Sequence, residues 1–233
     1  MLAVFKRELK AYFSTPIGFI VLAAYYFFLG LFFYMIYGYG SPDTEGIYFA
    51  MSTVVVFSTP IITMRLMSED RRQKVDQALL TAPVSLTGIV MGKFTAAMAL
   101  FAICFAPMLI FELIVASYVT VNVLSFIYAT LGMLLLGGAL IAIGMFISSL
   151  TESSVISAIL TLVINILVLY MSSFASMIQV KWLSTTIEKA AFITAFENFG
   201  ENVFSIADIV YFLSIIAAFI FLSVRSLEKR RWS

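Results

Sequence analysis

The sequence has 233 residues, of which 62% are hydrophobic and only 12% are charged. Soluble domains are about half apolar and about a quarter charged, so this chain needs lipid as the solvent for much of its surface. The net charge of +1 gives no electrostatic reason to expect nucleic acid as a partner. The absence of histidine and the single cysteine, Cys104, exclude an intrachain disulfide, a His/Cys zinc site and a His-dependent catalytic dyad.

The chain begins with an amphipathic segment, for which we predict a helix over residues 1–14. Its apolar side chains fall on one face at helical spacing, with basic side chains beside them. The apolar residues are Leu2, Phe5, Leu9 and Phe13, and the basic residues are Lys6, Arg7 and Lys10. A helix of this kind lies flat on an anionic membrane surface.

Six apolar stretches are long enough to cross a bilayer, which takes about 20 residues in a helix. They cover residues 17–37, 47–64, 94–116, 123–147, 155–178 and 206–224. The sequence therefore predicts an all-α, polytopic membrane protein with six transmembrane helices in a single transmembrane domain, residues 1–233.

The distribution of Lys and Arg sets the predicted orientation, because cytoplasmic connections carry an excess of both. Twelve of the 14 basic residues lie in the N-terminal segment, the second connection and the C-terminal tail. The other two, Lys181 and Lys189, lie in the fifth connection. We therefore place both termini and residues 65–93 in the cytoplasm.

The second connection contains a further amphipathic segment, predicted as a cytoplasmic helix over residues 68–83. Val75, Ala78, Leu79 and Ala82 repeat at i, i+3, i+4 and i+7, which gives one narrow apolar stripe. Pro83 ends this helix, and Ser85 then starts the next one. The segment is either a solvated hairpin that connects two spans or a docking surface for a cytoplasmic partner.

Residues 179–205 are too apolar for a solvated loop, so we predict short interfacial or re-entrant helices at the outer leaflet. Within the spans, Glu112 is the clearest acidic residue, and intramembrane acids are functional candidates by default. It lies about one helical turn from the outer end of its span, so a partly hydrated interfacial position is the other interpretation. Asn165 in the fifth span either lines a path or bonds to a neighbouring helix.

The stretch from Gly88 to Thr95 superficially resembles a phosphate-binding loop. It has three residues between its glycines where four are needed, and Phe94 follows Lys93 where Ser or Thr is required. It also opens a membrane span instead of following a strand. If the protein uses the energy of a nucleotide, another chain must therefore bind that nucleotide.

Residues 69–93 resemble the characteristic segment of type-2 ATP-binding-cassette transporter permeases. The similarity consists of an acidic-basic start, Leu-Leu-Thr-Ala-Pro-Val-Ser, and then Ile-Val-Met-Gly-Lys leading into the third span. The C-terminal stretch, residues 196–232, is similar to the branch that contains gliding-motility permeases and the permease of nitrous-oxide-reductase maturation.

The resemblance implies a dimer of permeases, identical or paralogous, that works with two separate ATPase subunits in the bacterial cytoplasmic (inner) membrane. Residues 68–83 would be the coupling helix, which docks in a groove of the ATPase. The residues it assigns to coupling are Glu69, Arg71, Arg72, Val75, Asp76, Ala78, Leu79, Leu80 and Pro83. This chain would carry no cofactor, since ATP and magnesium would bind to the partner. Asn165, Tyr170 and Glu112 would line the substrate path.

Two other functions fit the same composition. A non-transporting membrane assembly or anchoring factor would also recruit an ATPase. An ion-coupled secondary transporter would instead favour ionisable residues near mid-membrane and discontinuous helices. A neighbouring gene for an ATPase distinguishes the ATP-dependent exporter from the secondary transporter.

Overall fold

The computed structural model describes residues 1–38, 44–74, 85–117, 123–175, 191–200 and 205–231, and this part of the chain is helical with no strand. The helices are α1 (Leu2–Ser14), α2 (Pro16–Gly38), α3 (Thr44–Thr63), α4 (Ser68–Arg72), α5 (Leu86–Ala116), α6 (Val123–Leu150), α7 (Ser154–Leu169), α8 (Met171–Ala175), α9 (Phe192–Gly200) and α10 (Ile206–Arg231).

Five helical segments are long and apolar enough to cross a membrane: Pro16–Gly38, Gly46–Arg72, Leu86–Ala116, Val123–Leu150 and Ile206–Arg230. The shorter apolar helix α7 lies between the last two. The predicted class, an all-α polytopic membrane protein, is confirmed.

Helix α6 is the centre of the bundle and packs against α3, α5, α7, α9 and α10. In its most apolar window 72% of the residues are buried, against 11% in α10 and 17% in α2, so the latter two present apolar side chains outward. Glycines allow the close packing of α6. A Cβ at position 137 would collide with the ring of Phe101 on α5, and a Cβ at 144 would collide with Thr63 on α3.

Helix α5 begins at Leu86, earlier than the apolar run that starts at Phe94. Ser85 caps it by accepting a hydrogen bond from the Gly88 N–H at 3.2 Å. The first two turns contain Lys93, the charged residue just before the apolar run, and yet the side chain of Lys93 is only 1% exposed. The helix therefore extends through a charged position that the protein itself buries.

A single helix over residues 68–83 is a prediction that the structure corrects. Helix α4 ends at Arg72, and Lys74 has a φ of 58°, in the left-handed region that closes helices. The N–H of Lys74 bonds to the Arg71 carbonyl at 3.1 Å. Residues 75–84 lie outside the described residues, and these include Val75, Asp76, Ala78, Leu79, Leu80 and Pro83.

The predicted fifth span, residues 155–178, is also interrupted. Helix α7 ends at Leu169 with Tyr170 as its C-cap, and the short α8 follows. Of the outer segment, residues 179–190 and 201–204 lie outside the described part. Helix α9 packs inward, with Phe199 against Gly132 of α6.

Candidate functional site

Ion pairs tie several elements together at one end of the bundle, which we call the charged end. It comprises α1, residues 64–74, the first two turns of α5, residues 148–154 and the last two turns of α10. The side-chain contacts among them join residues far apart in the sequence, such as Lys93 with Glu8 and Arg71 with Glu152.

Helix α1 docks on the bundle through one face. Val4, Glu8 and Tyr12 follow each other at four-residue spacing, so they share a face. Val4 and Tyr12 are buried, while Lys6 and Lys10 on other faces are exposed. The predicted amphipathic helix therefore has a second, inward face whose central residue is an acid.

Each residue of the inward face meets a different partner. Val4 approaches Gly92 of α5, where a Cβ would lie 2.9 Å from the Val4 Cβ and 3.0 Å from the Met1 carbonyl oxygen. The Tyr12 hydroxyl donates to the Ile62 carbonyl of α3 at 2.7 Å. Burial raises the pKa of Tyr12, and the nearby Glu8 charge adds to this effect, so the phenol stays neutral.

Glu8 belongs to a group of four alternating charges, Arg7, Glu8, Asp70 and Lys93, which we call the Lys93 cluster. The Lys93 Nζ lies 2.9 Å from Glu8 Oε1, 2.7 Å from Asp70 Oδ2 and 2.5 Å from the Leu66 carbonyl oxygen. The Arg7 guanidinium lies 2.5 Å from Glu8 and 3.2 Å from Asp70. Burial alone would lower the pKa of Arg7, but the bonds and charges of Glu8 and Asp70 outweigh it and raise that pKa.

A cavity of about 280 Å³ opens beside the Lys93 cluster, between α1 and residues 65–73. Its lining includes Arg65, whose guanidinium pairs with Glu69 through two nitrogens and also reaches Thr15 at the α1–α2 junction. Five of its lining residues carry charge, so the cavity presents charged groups at the start of the predicted coupling segment.

The structure gives distinct positions to the three predicted coupling residues that it describes. Glu69 faces Arg65 and also accepts from Gln73 at 3.1 Å. Arg71 pairs with Glu152 at 2.8 Å and donates to the Leu150 carbonyl at 3.2 Å. Only Arg72 of these three is exposed. Arg71 therefore attaches the segment to the end of α6 and the connection after it, while Glu69 bonds within residues 65–73.

Serines on α6 and α7 complete this attachment. The Ser148 hydroxyl accepts from the backbone N–H groups of Met67 and Ser68, each at 3.1 Å, and donates to the Met64 carbonyl at 3.2 Å. The Ser68 hydroxyl lies 3.1 Å from that of Ser154. Residues 64–68 are thereby bonded to the α6–α7 connection.

The three predicted path residues lie away from the charged end and do not form one group. The Asn165 amide of α7 is fully buried and donates to Thr59 Oγ1 of α3 at 2.8 Å. The Tyr170 hydroxyl lies 3.4 Å from Thr53 Oγ1, also on α3. Glu112 is 7% exposed on α5, and the described residues offer no hydrogen-bond partner to its Oε1. The structure thus favours burial of Glu112 over a hydrated interfacial position.

Sequence reasoning did not identify Glu8, Asp70, Ser148 or Lys93 as a connected site. The sequence patterns place Lys93 only in the rejected phosphate loop, the count of basic residues and the family-like Gly-Lys motif, and they give Glu8 no role. The usable signal was a lysine between two apolar runs, because a buried lysine requires an acidic partner.

The fold and this site define a polytopic membrane protein with an N-terminal helix and a charged segment docked at one end. The model of the ABC-2 type transporter family matches residues 1–204, and the chain belongs to this family. It is a permease component of an ATP-binding-cassette transporter and not itself the catalytic subunit. No curated protein matches the sequence.

Proposed function

We propose that this chain is the membrane-spanning permease subunit of an ATP-dependent exporter in the bacterial cytoplasmic membrane. Two permease chains, identical or paralogous, would work with separate ATPase subunits that hold ATP and magnesium. Family membership carries this proposal, because members of the class transport substrates and depend on a partner for ATP hydrolysis.

In the proposed topology there are six spans, of which α7 and α8 together form the fifth, and both termini are cytoplasmic. The charged end supports the orientation, because α1, residues 64–74, the 148–154 connection and the end of α10 contact one another there. These elements contain most of the Lys and Arg residues, as cytoplasmic ends of membrane proteins do.

The proposed site of coupling is the segment that leaves α4 at the charged end. Glu69, Arg71 and Arg72 begin it, and Val75, Asp76, Ala78, Leu79, Leu80 and Pro83 complete it. The segment is anchored to α6 through Arg71 and Ser148, and to α7 through the Ser68–Ser154 contact. These contacts give a route by which force on the segment reaches both helices. The ATPase must contact the segment differently in its two nucleotide states for ATP to bias the conformation.

The proposed path follows the seam between α3 and α7. Asn165 and Tyr170 both bond to α3, and the buried Asn165 Oδ1, Thr161 Oγ1 and Ser157 Oγ have no hydrogen-bond partner in the described part of the chain. Polar groups without partners inside a bundle are costly. Separation of α3 from α7 would give these atoms water or a polar substrate to bond with. Glu112 is the third proposed path residue, nearer the other end.

The first experiment expresses the chain with its genomic neighbours, purifies it by a tag and identifies copurifying proteins by mass spectrometry. The expected result is a stoichiometric ATPase subunit. Purification of the permease alone, in a detergent that preserves known complexes of this class, would contradict the proposal.

The second experiment tests docking by the coupling segment. Leu79→Asp places a charge on the predicted apolar stripe, and burying it without a partner in the ATPase groove is expensive. We expect ATPase copurification to fall while membrane insertion persists. Gln77→Asp introduces the same charge off the stripe and serves as the matched control. Equal ATPase recovery with both variants would exclude the predicted docking face.

A further inference from the structure

We propose that Lys93 is a positioning residue that holds α1 and residues 66–70 together, so that the N-terminal helix moves as one body with the coupling segment. The inference rests on the proposed function, because the motion in question is the one that an ATPase partner would drive.

The first support is the complete use of the Lys93 ammonium. Lys93 is 1% exposed, so water cannot solvate its charge. An ammonium has three N–H donors, and Glu8, Asp70 and the Leu66 carbonyl lie within hydrogen-bond distance of this one. A buried charge is tolerated only with such partners, so the three elements that supply them are fixed around one atom.

The second support is that α1 is fixed along its length and not only at Glu8. Gly92 brings the start of α1 against α5, and the Tyr12 hydroxyl holds its end to the Ile62 carbonyl of α3. Arg7 adds a further bond from α1 to Asp70. Moving α1 away from residues 62–70 would expose a lysine and break the Tyr12 and Arg7 bonds at once.

The third support is the position of α1 at the start of the first span. Only Thr15 separates α1 from α2, and Arg65 also donates to the Thr15 hydroxyl at 3.3 Å. A displacement of residues 65–70 therefore reaches α2 through two contacts, the Lys93 cluster and Arg65. On this view the ATPase moves α2 as well as the helices that flank the coupling segment.

The test measures the distance between α1 and the coupling segment in the complete complex. Spin labels are placed at Lys10→Cys and Gln73→Cys, both exposed positions, with Cys104 replaced by alanine. Double electron–electron resonance is recorded in lipid nanodiscs with ADP and with magnesium, ADP and vanadate. We expect one narrow distance, unchanged between the two states, in the otherwise unaltered chain.

Lys93→Gln removes the charge, and we expect a broadened or longer distance together with a fall in ATP turnover. Allosteric couplings of ordinary size predict a fall on the order of 5–150-fold. Lys6→Gln neutralises an exposed lysine of α1 and should change neither quantity. Should Lys93→Gln not fold, Glu8→Gln weakens the same contact with an isosteric side chain and gives the same readouts.

The outcomes separate this inference from the proposed function. Absence of an ATPase from the unaltered chain overturns the proposed function, and the inference with it. The inference alone is wrong if the ATPase is bound but the distance between the labels at positions 10 and 73 changes between nucleotide states. It is equally wrong if folded, ATPase-bound Lys93→Gln keeps the original distance and turnover. A purely structural role would lower the yield of folded protein without altering either quantity in the folded fraction.

Discussion

The Ser148 hydroxyl of α6 accepts a hydrogen bond from the backbone N–H of Ser68, 3.1 Å away, at the point where the chain leaves α3 for α4. The same oxygen accepts from the Met67 N–H. Both donors lie in buried residues where α3 has ended, so neither has a helical acceptor. One side chain thus supplies the hydrogen-bond acceptor for both N–H groups at the break between α3 and the predicted coupling segment.

Replacing Ser148 by alanine should therefore destabilise the protein. It leaves two buried N–H groups without an acceptor, at a cost of about 1–3 kcal/mol for each. The measurement is denaturation in mixed detergent micelles, followed by the reaction of a thiol dye with the buried Cys104. Ser149→Ala is the matched control, because among the described residues the Ser149 hydroxyl bonds only to the Phe146 carbonyl of its own helix. Equal stability of the two variants would refute the assigned role of Ser148.

The Lys93 cluster should contribute far more to stability than an exposed ion pair does. Asp70→Asn keeps the shape of the side chain but removes a charge that bonds the buried Lys93. Hydrogen bonds to charged groups contribute about 1.5–3 kcal/mol, and we expect a loss of that size by the same Cys104 assay.

The control for this prediction is Glu228→Gln, which breaks the exposed pair of Arg225 and Glu228. Exposed pairs contribute about 0–1 kcal/mol. High salt should narrow the difference in unfolding free energy between the unaltered protein and Glu228→Gln. It should leave the loss caused by Asp70→Asn in place, because buried pairs are poorly screened. Similar losses for both variants would show that the Lys93 cluster is solvated.

The positions of the apolar helices could be predicted from the sequence, because hydropathy depends on local composition. The run 17–37, for example, corresponds closely to α2, Pro16–Gly38. The start of α5 could also be predicted from Ser85, which is its N-cap. The burial of Lys93 could not, because its acidic partner Glu8 is 85 residues away. Tertiary contacts of this kind have no local signature. The end of the helix before Lys74 could not be predicted for a different reason. The residue spacing in the sequence is helical, but Lys74 adopts a left-handed backbone conformation, which ends a helix.

Gly92 should be intolerant of even a methyl group. A Cβ there would lie 2.9 Å from the Val4 Cβ and 3.0 Å from the Met1 carbonyl oxygen, closer than such atoms normally approach. Gly92→Ala should push α1 outward and make Cys104 reactive under milder denaturing conditions, with a cost of about 1–3 kcal/mol typical of overpacking.

Gly30→Ala is the control for Gly92, because among the described residues nothing beyond the neighbouring backbone of its own helix lies within 4 Å of a Cβ built at position 30. Alanine is the better helix former by about 1 kcal/mol in water, so this variant should be neutral or slightly stabilised. Protection of α1 backbone amides from hydrogen exchange should fall in Gly92→Ala and stay unchanged in Gly30→Ala. Unaltered protection in both would mean that α1 does not rest against α5.

Replacing Asn165 should affect activity more than stability. Its amide donates to Thr59 Oγ1, but its Oδ1 has no hydrogen-bond partner in the described part of the chain, and the residue is fully buried. The Thr59 hydroxyl also donates to the Val55 carbonyl at 2.8 Å, so it keeps a partner when Asn165 is replaced. Asn165→Leu should therefore leave the unfolding free energy within about 1 kcal/mol of the original, since the lost bond is offset by burial of apolar surface.

If the α3–α7 seam is the substrate path, the same Asn165→Leu variant should alter ATP turnover of the assembled complex despite its preserved stability. Val163→Leu, on the exposed face of α7, is the matched control and should leave turnover unchanged. A fall in stability and in turnover together would identify Asn165 as a packing residue, because a purely interhelical bond affects activity only through folding. Preserved stability with changed turnover would instead indicate that the α3–α7 seam contains a buried polar surface with a role in transport.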